Sequence, residues 1–399
     1  MFSQPANYDV IIAGGGPAGS SAAIHLANHG VRVLLLEQKR FPRPKLCGEF
    51  ISPECIEHFE RLGVAHDMHA SHPANITETV FYSRAGKKIV VPSGWFGRTA
   101  AMGLSRAAMD DNLLKRARSV GADVREETTV VDVIEEDDRV IGVKFKNSQG
   151  EQEELASIVI DATGRGRLLT RKLKNSQDRH AQRSKLVAFK AHLTNTRGSL
   201  SSCEIYSYPG GYGGLNTIED GLSNICFIVN ASLVKQAHSS PEQVLQNQLM
   251  QNQRAAFVLQ QAKVATDWLS VSLESFGRQH PSPAKGLLAI GDSAAFIDPF
   301  TGSGMLMALE SGQLVSGVIV RRLNKSDLAV LCGEYTSQYH QKFAARLRTS
   351  GLLRRVAFNP LLAQLTITAC GTSERFRNWL VRSTRSRNTA DSTPHIPAK

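Results

Sequence analysis

The sequence predicts an α/β chain in which one parallel-sheet domain is assembled from separated segments. A mainly antiparallel β domain is inserted between them, and a helical tail follows. Three observations carry this. The first is the apolar run Tyr8–Ala13, which stops at Gly14-Gly15-Gly16. Helix-period residues from Pro17 to His29 follow, ended by Gly30, and then a second apolar run, Val31–Leu36, closed by Glu37. Strand, glycine turn, helix, strand is a right-handed βαβ unit. The second is the return of the buried-strand pattern at Leu287–Ile290, followed by Gly291-Asp292 and a long helix from about Gly304 to Leu323. The third is the stretch Leu186–Val229, which is strand-like and rich in Gly and Tyr.

The remaining elements fill this frame. A loop rich in Pro and basic residues runs from Gln38 to Lys45, and a helix over Arg106–Val120 ends at Gly121. Strands are expected at 122–133 and 140–146, with acidic turn residues Glu135 to Asp138 between them. Another at Ser157–Ile160 leads into Asp161-Ala162-Thr163-Gly164. Residues 243–263 read as one helix, the tail from Tyr335 as mostly helical and basic, and the last dozen residues as disordered. The division expected is 1–75, 100–165 and 281–330 for the parallel-sheet domain, 76–99 and 166–280 for the inserted domain, and 331–399 for the tail.

Composition narrows the function. In 399 residues, 42% hydrophobic and 21% charged content suits a globular chain with a substantial core. Of the net charge of +11, the last 59 positions hold +9, from eleven basic and two acidic residues. The rest is nearly neutral, so a nucleic-acid reading would rest on the tail alone, and no such partner is expected. Six scattered cysteines without a C-x-x-C pair suit a reducing compartment. Residues 1–7 carry no signal-peptide pattern and no apolar run approaches a membrane span, so a cytoplasmic protein is expected.

The chemistry begins at Gly14-x-Gly16-x-x-Gly19. Gly14 permits the tight turn, Gly16 lets backbone approach a pyrophosphate, and Gly19 lets the helix pack on the sheet. The helix N-terminus then offers unpaired N–H groups and its positive dipole end to phosphates. Glu37, eighteen residues after Gly19, can accept hydrogen bonds from ribose hydroxyls and would repel a ribose phosphate. The second motif is Gly291-Asp292 after its strand, then Asp298-Pro299-Phe300-Thr301-Gly302-Ser303-Gly304 and a helix. It presents a carboxylate and a second helix N-terminus.

Together the two motifs resemble the FAD-binding pattern shared by aromatic hydroxylases, flavin-dependent halogenases and geranylgeranyl reductases. The resemblance implies a Rossmann-like FAD-binding domain of the glutathione-reductase type. It implies that Asp292 holds the flavin ribityl chain, and that Pro299, Gly302, Ser303 and Gly304 lie beside the flavin ring. It also implies that Arg106 contacts the phosphate or ribityl region and that the backbone of Val130 meets adenine. The segment Phe41-Pro42-Arg43-Pro44-Lys45-Leu46-Cys47-Gly48-Glu49 most resembles the loop of geranylgeranyl reductases that passes close to the flavin. There Cys47 would neighbour the flavin or deliver a proton, Gly48 would approach the ring, and Arg43 or Lys45 would meet the pyrophosphate. Pro209-Gly210-Gly211-Tyr212 matches the same family, with Tyr212 a candidate catalytic residue against substrate and near the proton path, or else capping a sheet, but Gly213-Gly214-Leu215 stands where a Trp is usual.

The expected activity is thus an FAD-dependent oxidoreductase acting on an apolar or aromatic biosynthetic intermediate. A monooxygenase hydroxylating through a flavin hydroperoxide leads. A double-bond reductase of a lipid or prenyl substrate is the alternative, and a non-catalytic flavin-binding protein is the alternative of another class. NAD(P)H would bind transiently as electron donor, or a partner reductase would supply electrons. Asp161-Ala162-Thr163-Gly164 replaces the Asp-Gly signature of the hydroxylases, and the Trp-x-Trp-x-x-Pro motif of halogenases is missing. His66, His69 and His72 have metal-compatible spacing but read as polar surface, so no metal is expected. Arg346, Arg348, Arg354 and Arg355 alternate with Leu347, Leu352, Leu353, Val356 and Phe358. This is the pattern of a helix packed on the body with its arginines in solvent, or of one touching a membrane peripherally.

Overall fold

The computed structural model describes residues 7–174, 183–274, 276–278, 280–323 and 327–372. The first sheet has seven strands. Strands Asp123–Arg125, Val33–Leu36, Tyr8–Ala13 and Gly150–Asp161 lie side by side in parallel, and Leu287–Ala289 joins parallel to Gly150–Asp161. Arg139–Asn147 and Thr129–Glu136 continue it antiparallel. Both faces are covered, so the central strands read as unbroken apolar runs. Val10, Ile12, Leu35, Ile158 and Ile160 face the helices, while Ile11, Leu34, Leu36 and Val159 pack with Val133, Val143 and Phe145 on the other side.

The helices Pro17–Ala27 and Gly304–Arg322 cross on that first face through small residues. A Cβ at Gly312 would stand 2.7 Å from the Ala18 carbonyl oxygen and 2.9 Å from the Ala22 nitrogen. Ser21 Oγ donates to the Leu309 carbonyl at 3.0 Å, and Ser316 Oγ to that of Ala22 at 3.2 Å.

The second sheet has eight strands, with Arg183–Thr194, Ser223–Asn230, Gly211–Thr217 and Ser202–Tyr208 forming its antiparallel centre. Glu78–Tyr82 extends it in parallel and Lys88–Pro92 closes that edge. Alternation sorts its faces. Phe189, Tyr206, Tyr208, Leu215 and Phe227 are buried under Val234, Val244, Leu249 and Val258. The opposite face carries Lys190, His192, Tyr212, Asn216, Asn224 and Cys226.

Four expectations need correction. Residues 243–263 are not one helix but Pro241–Asn247, a 3₁₀ turn at Leu249–Gln251 and the helix Gln253–Leu259. Asn252 breaks it: its Oδ1 caps the second helix by accepting from the nitrogens of Arg254 and Ala255, and its Nδ2 donates to the carbonyls of Ser83 and Ser207, each at 3.0 Å. The strand expected over 122–133 is interrupted at Glu126–Thr128, where Glu127 adopts φ +52°. The Ser157–Ile160 strand starts at Gly150, because its first half pairs antiparallel with Arg139–Asn147. Arg346 is not in solvent: it is 1% exposed and paired to Glu310 at 2.7 Å inside the helix Leu328–Ala357. Only the arginines at 348 and 355 of that group are exposed. The expected disordered end lies outside the described residues.

Gly312→Val should force the two crossing helices apart, lowering stability by about 1–3 kcal/mol and reducing the flavin that copurifies. Gly317→Ala, whose Cβ would meet only the Arg321 guanidinium at 3.4 Å, should leave both intact. Urea unfolding and the flavin absorbance of the purified variants distinguish them.

Candidate functional site

Between the two sheets lies a cavity of about 740 Å³, within the range of about 300–1,000 Å³ usual for small-molecule sites. Its wall includes Gly14, Gly16, Glu37, Arg43, Lys45, Cys47, Gly48, Arg106, Val130, Tyr212, Asp292, Pro299, Gly302 and Gly304. Sixteen positions were singled out from the sequence, and only Gly19 and Ser303 stand behind the wall. Gly19 is held by packing: its Cβ would come within 1.9 Å of the Gly14 carbonyl oxygen. Ser303 is fully buried and shares a 2.8 Å hydrogen bond with Thr301.

One end of the cavity suits a dinucleotide. Gly14 sits at φ +108°, where a Cβ would stand 2.4 Å from the Ala162 carbonyl oxygen. Nothing lies within 4 Å of a Cβ at Gly16 or Gly48, so space is open above both. The helices starting at Pro17 and Gly304 have no side-chain cap, which leaves their first N–H groups to a ligand. Buried Glu37 fixes the turn by accepting from the Gly15 nitrogen at 2.8 Å and that of Lys39 at 2.9 Å. Arg43 lies 3.5 Å from Glu37 with its guanidinium over Phe41, and its buried Nε has no hydrogen-bond partner among the described residues. Arg165 and Arg171, which the sequence reading passed over, join Arg43 and Lys45 in the wall. Burial pushes the Lys45 ammonium down, and Arg43, Arg106 and Arg165 add to this. Burial pushes the Asp292 carboxyl up, against Arg165, Arg106 and Lys45. Two helix N-termini, clustered cations and an acidic residue at the second strand end fit the pyrophosphate and ribose of FAD.

The loop expected at the flavin is gripped from the second sheet. Glu49 has no exposed surface and adopts φ +51°. Its carboxylate pairs with Lys190 Nζ through Oε1 and with His192 Nε2 through Oε2, the latter at 2.7 Å, and it accepts from the Arg106 nitrogen at 2.8 Å. Burial alone would raise this carboxyl, but His192 and Lys190 outweigh it and hold it below its usual range. Asn224 Nδ2 donates to the Cys47 carbonyl and Asn216 Nδ2 to that of Glu49. Nothing in the sequence pointed to Lys190 and His192, which fall on one face only once the strand is known.

Arg106 makes a bidentate pair with fully buried Asp110, at 2.8 and 2.7 Å. Burial opposes the guanidinium charge, but Asp110 holds it firmly, and the Cys47 side chain lies beside it. Tyr212 donates to Asp298 Oδ1 at 2.7 Å, and burial followed by this carboxylate keeps the phenol well above its usual range. The phenol is therefore a link between the second sheet and the loop before Gly304. Phe81, Ile205, Ile228, Leu273, Phe296, Phe300, Leu353 and Val356 make the rest of that end apolar.

Asp161 is a buried junction, accepting from Thr163, Thr170 and Ser293. Gly214 lines the cavity, and a Cβ there would meet Ile205 at 3.0 Å. His66 and His69 are exposed on a short helix and His72 lies past its end. Among the described residues no group of three or more His, Cys, Asp or Glu is placed to hold a metal, and no helix is long and apolar enough to cross a membrane.

Replacing Asp292 with Ala should leave a folded protein that retains FAD much more weakly, by roughly tenfold or more for a lost charge-assisted hydrogen bond of about 1.5–3 kcal/mol. Flavin fluorescence released on dilution reads this, and unchanged retention would remove Asp292 from the cofactor site.

The chain is similar to known proteins in both sequence and fold. The chain is 26% identical over 348 residues to a digeranylgeranylglycerophospholipid reductase of Thermoplasma volcanium, covering 84% of each. It is 25% identical to a 1H-pyrrole-2-carbonyl peptidyl-carrier-protein brominase of Pseudoalteromonas luteoviolacea, covering 82% of this chain and 80% of that one. A flavin-dependent brominase shares the fold with a TM-score of 0.79 at 22% identity, covering 94% of each chain. So does a geranylgeranyl bacteriochlorophyll reductase-like protein of Thermoplasma acidophilum, with 0.76 at 20% identity, over 97% of this chain and 94% of that one. Residues 7–324 match the FAD-binding domain family, and the chain belongs to it.

Proposed function

We propose that this FAD-dependent oxidoreductase reduces a carbon–carbon double bond of an apolar substrate. The observation that carries the reading is Cys47, a thiol in the cavity wall, backed by the Arg106 guanidinium and fixed by the buried Glu49 cluster. When bound and reduced, FAD supplies a hydride to one carbon of the substrate. Cys47 gives its proton to the neighbouring carbon, Arg106 stabilises the thiolate left behind, and water returns the proton. The apolar wall from Phe81 to Val356 holds the substrate and excludes solvent. Tyr212 keeps the wall in place through Asp298 rather than donating a proton. The names of several relatives, including the Thermoplasma volcanium reductase, support this reading. Electrons come from NAD(P)H bound transiently or from a partner reductase.

A second reading, hydroxylation, is favoured by the apolar wall, which would also shelter an oxygen-reactive flavin. Rapid mixing separates the two. The flavin is reduced without oxygen, mixed with aerated buffer and followed by absorbance. Single-step return to the oxidised spectrum is the expected result, and Cys47→Ser should then keep flavin while losing double-bond reduction. A transient species unlike either the oxidised or the reduced flavin would overturn the reductase reading in favour of oxygen chemistry.

A further inference from the structure

The last two described helices are Leu328–Ala357 and Pro360–Thr372. Leu353, Val356, Ala357 and Thr366 line the cavity. Leu352, Leu361, Leu362 and Leu365, which are 57, 72, 42 and 66% exposed, make the outer face of this region apolar. Four large exposed apolar side chains close in sequence are unusual on a surface that faces only water. The same stretch is charged in one sense: residues 335–372 contain five Lys or Arg and no Asp or Glu. Arg346 and Lys342 are taken up by Glu310, and Arg354 lies over Phe276 and 3.9 Å from Asp298. Arg348 and Arg355 are exposed. With Leu352 they form a strip at spacings of four and three residues, which is one face of a helix.

We propose that this outer face docks on the surface of an anionic lipid bilayer, the leucines entering the acyl boundary and the exposed arginines meeting lipid phosphates. Charge complementarity selects this occupant over a second copy of the chain, which would bring two basic faces together. Exposed cationic charge on the first of these helices and exposed apolar area at Leu352 and on the second supply the two components of peripheral binding. Docking would place one wall of the apolar cavity against the bilayer, where an apolar substrate partitions. That purpose rests on the apolar-substrate reading above, whereas the docking itself does not.

The test is cosedimentation of the flavin-loaded, full-length protein with vesicles of phosphatidylcholine alone or with roughly one-third phosphatidylglycerol. Binding to the anionic vesicles only, weakened by salt, is expected. Leu361→Ser/Leu365→Ser should lower vesicle affinity roughly tenfold or more, with flavin content and melting temperature unchanged. If that pair disturbs folding, Arg348→Glu/Arg355→Glu should give the same loss. Absent binding by the full chain, as when its own residues 373–399 occupy the face, overturns the proposal. So does binding that both variants leave intact. A dimer abolished by the leucine substitutions would assign the face to a second copy and equally overturn it. Because the vesicles carry no substrate, such a failure leaves the reductase reading standing.

Discussion

Two helices that cross almost backbone to backbone set the geometry on which the rest depends. Gly312 admits the Ala18 carbonyl, Ser21 and Ser316 bond across the gap, and Gly291 would meet the Ala18 side chain at 2.9 Å if it carried a Cβ. Close crossing brings the first turns of both helices to the same cavity. Their unpaired N–H groups and dipole ends then act together on one ligand, which neither could hold as well alone. The glycines of the first motif serve the same end: Gly14 and Gly19 let turn, helix and the neighbouring strand end interlock, and Gly16 leaves room for phosphate.

The second sheet completes the site through an uneven division of its inner face. Toward the Cys47 loop it presents Lys190, His192, Asn216 and Asn224, which satisfy one buried carboxylate and three loop carbonyls. Toward the far end it presents Ile228, clustered with Phe296 and Phe300, and Ile205, paired in register with Phe81. Burying Glu49 is costly unless it is fully paired. Lys190, His192 and the Arg106 nitrogen therefore tie loop, helix and sheet into one body. The cavity is charged at the end that fits a dinucleotide and apolar at the other.

Most of the first sheet was legible because its strands are buried on both faces and its glycines must sit where backbones touch. Gly14, Gly16 and Glu37 could be named from spacing, since one strand–turn–helix–strand unit carries them to the same place, whereas Asp292 was named only through the resemblance to FAD-binding proteins. The Glu49 cluster was not legible. Lys190 and His192 lie about 140 positions from Glu49, and only strand pairing decides that their side chains face it. Arg346 misled for a similar reason: its partner Glu310 sits on another helix, and a run of arginines in the tail looks alike whether buried or solvated. Asn252 ended a helix that periodicity would have continued, because its side chain serves three carbonyls of the second sheet.

The central claim is that both helix N-termini and the Glu37 turn act on one molecule spanning the cavity. Titration of the deflavinated protein with FAD and with FMN, followed by flavin fluorescence, tests it most directly. The account predicts that FAD binds at least roughly a hundredfold more tightly, since only FAD carries the pyrophosphate and adenosine that the first motif is shaped to hold. Equal affinity for the two would mean that the turn at Gly14 to Gly19 and the Glu37 carboxylate take no part in binding, and would contradict it.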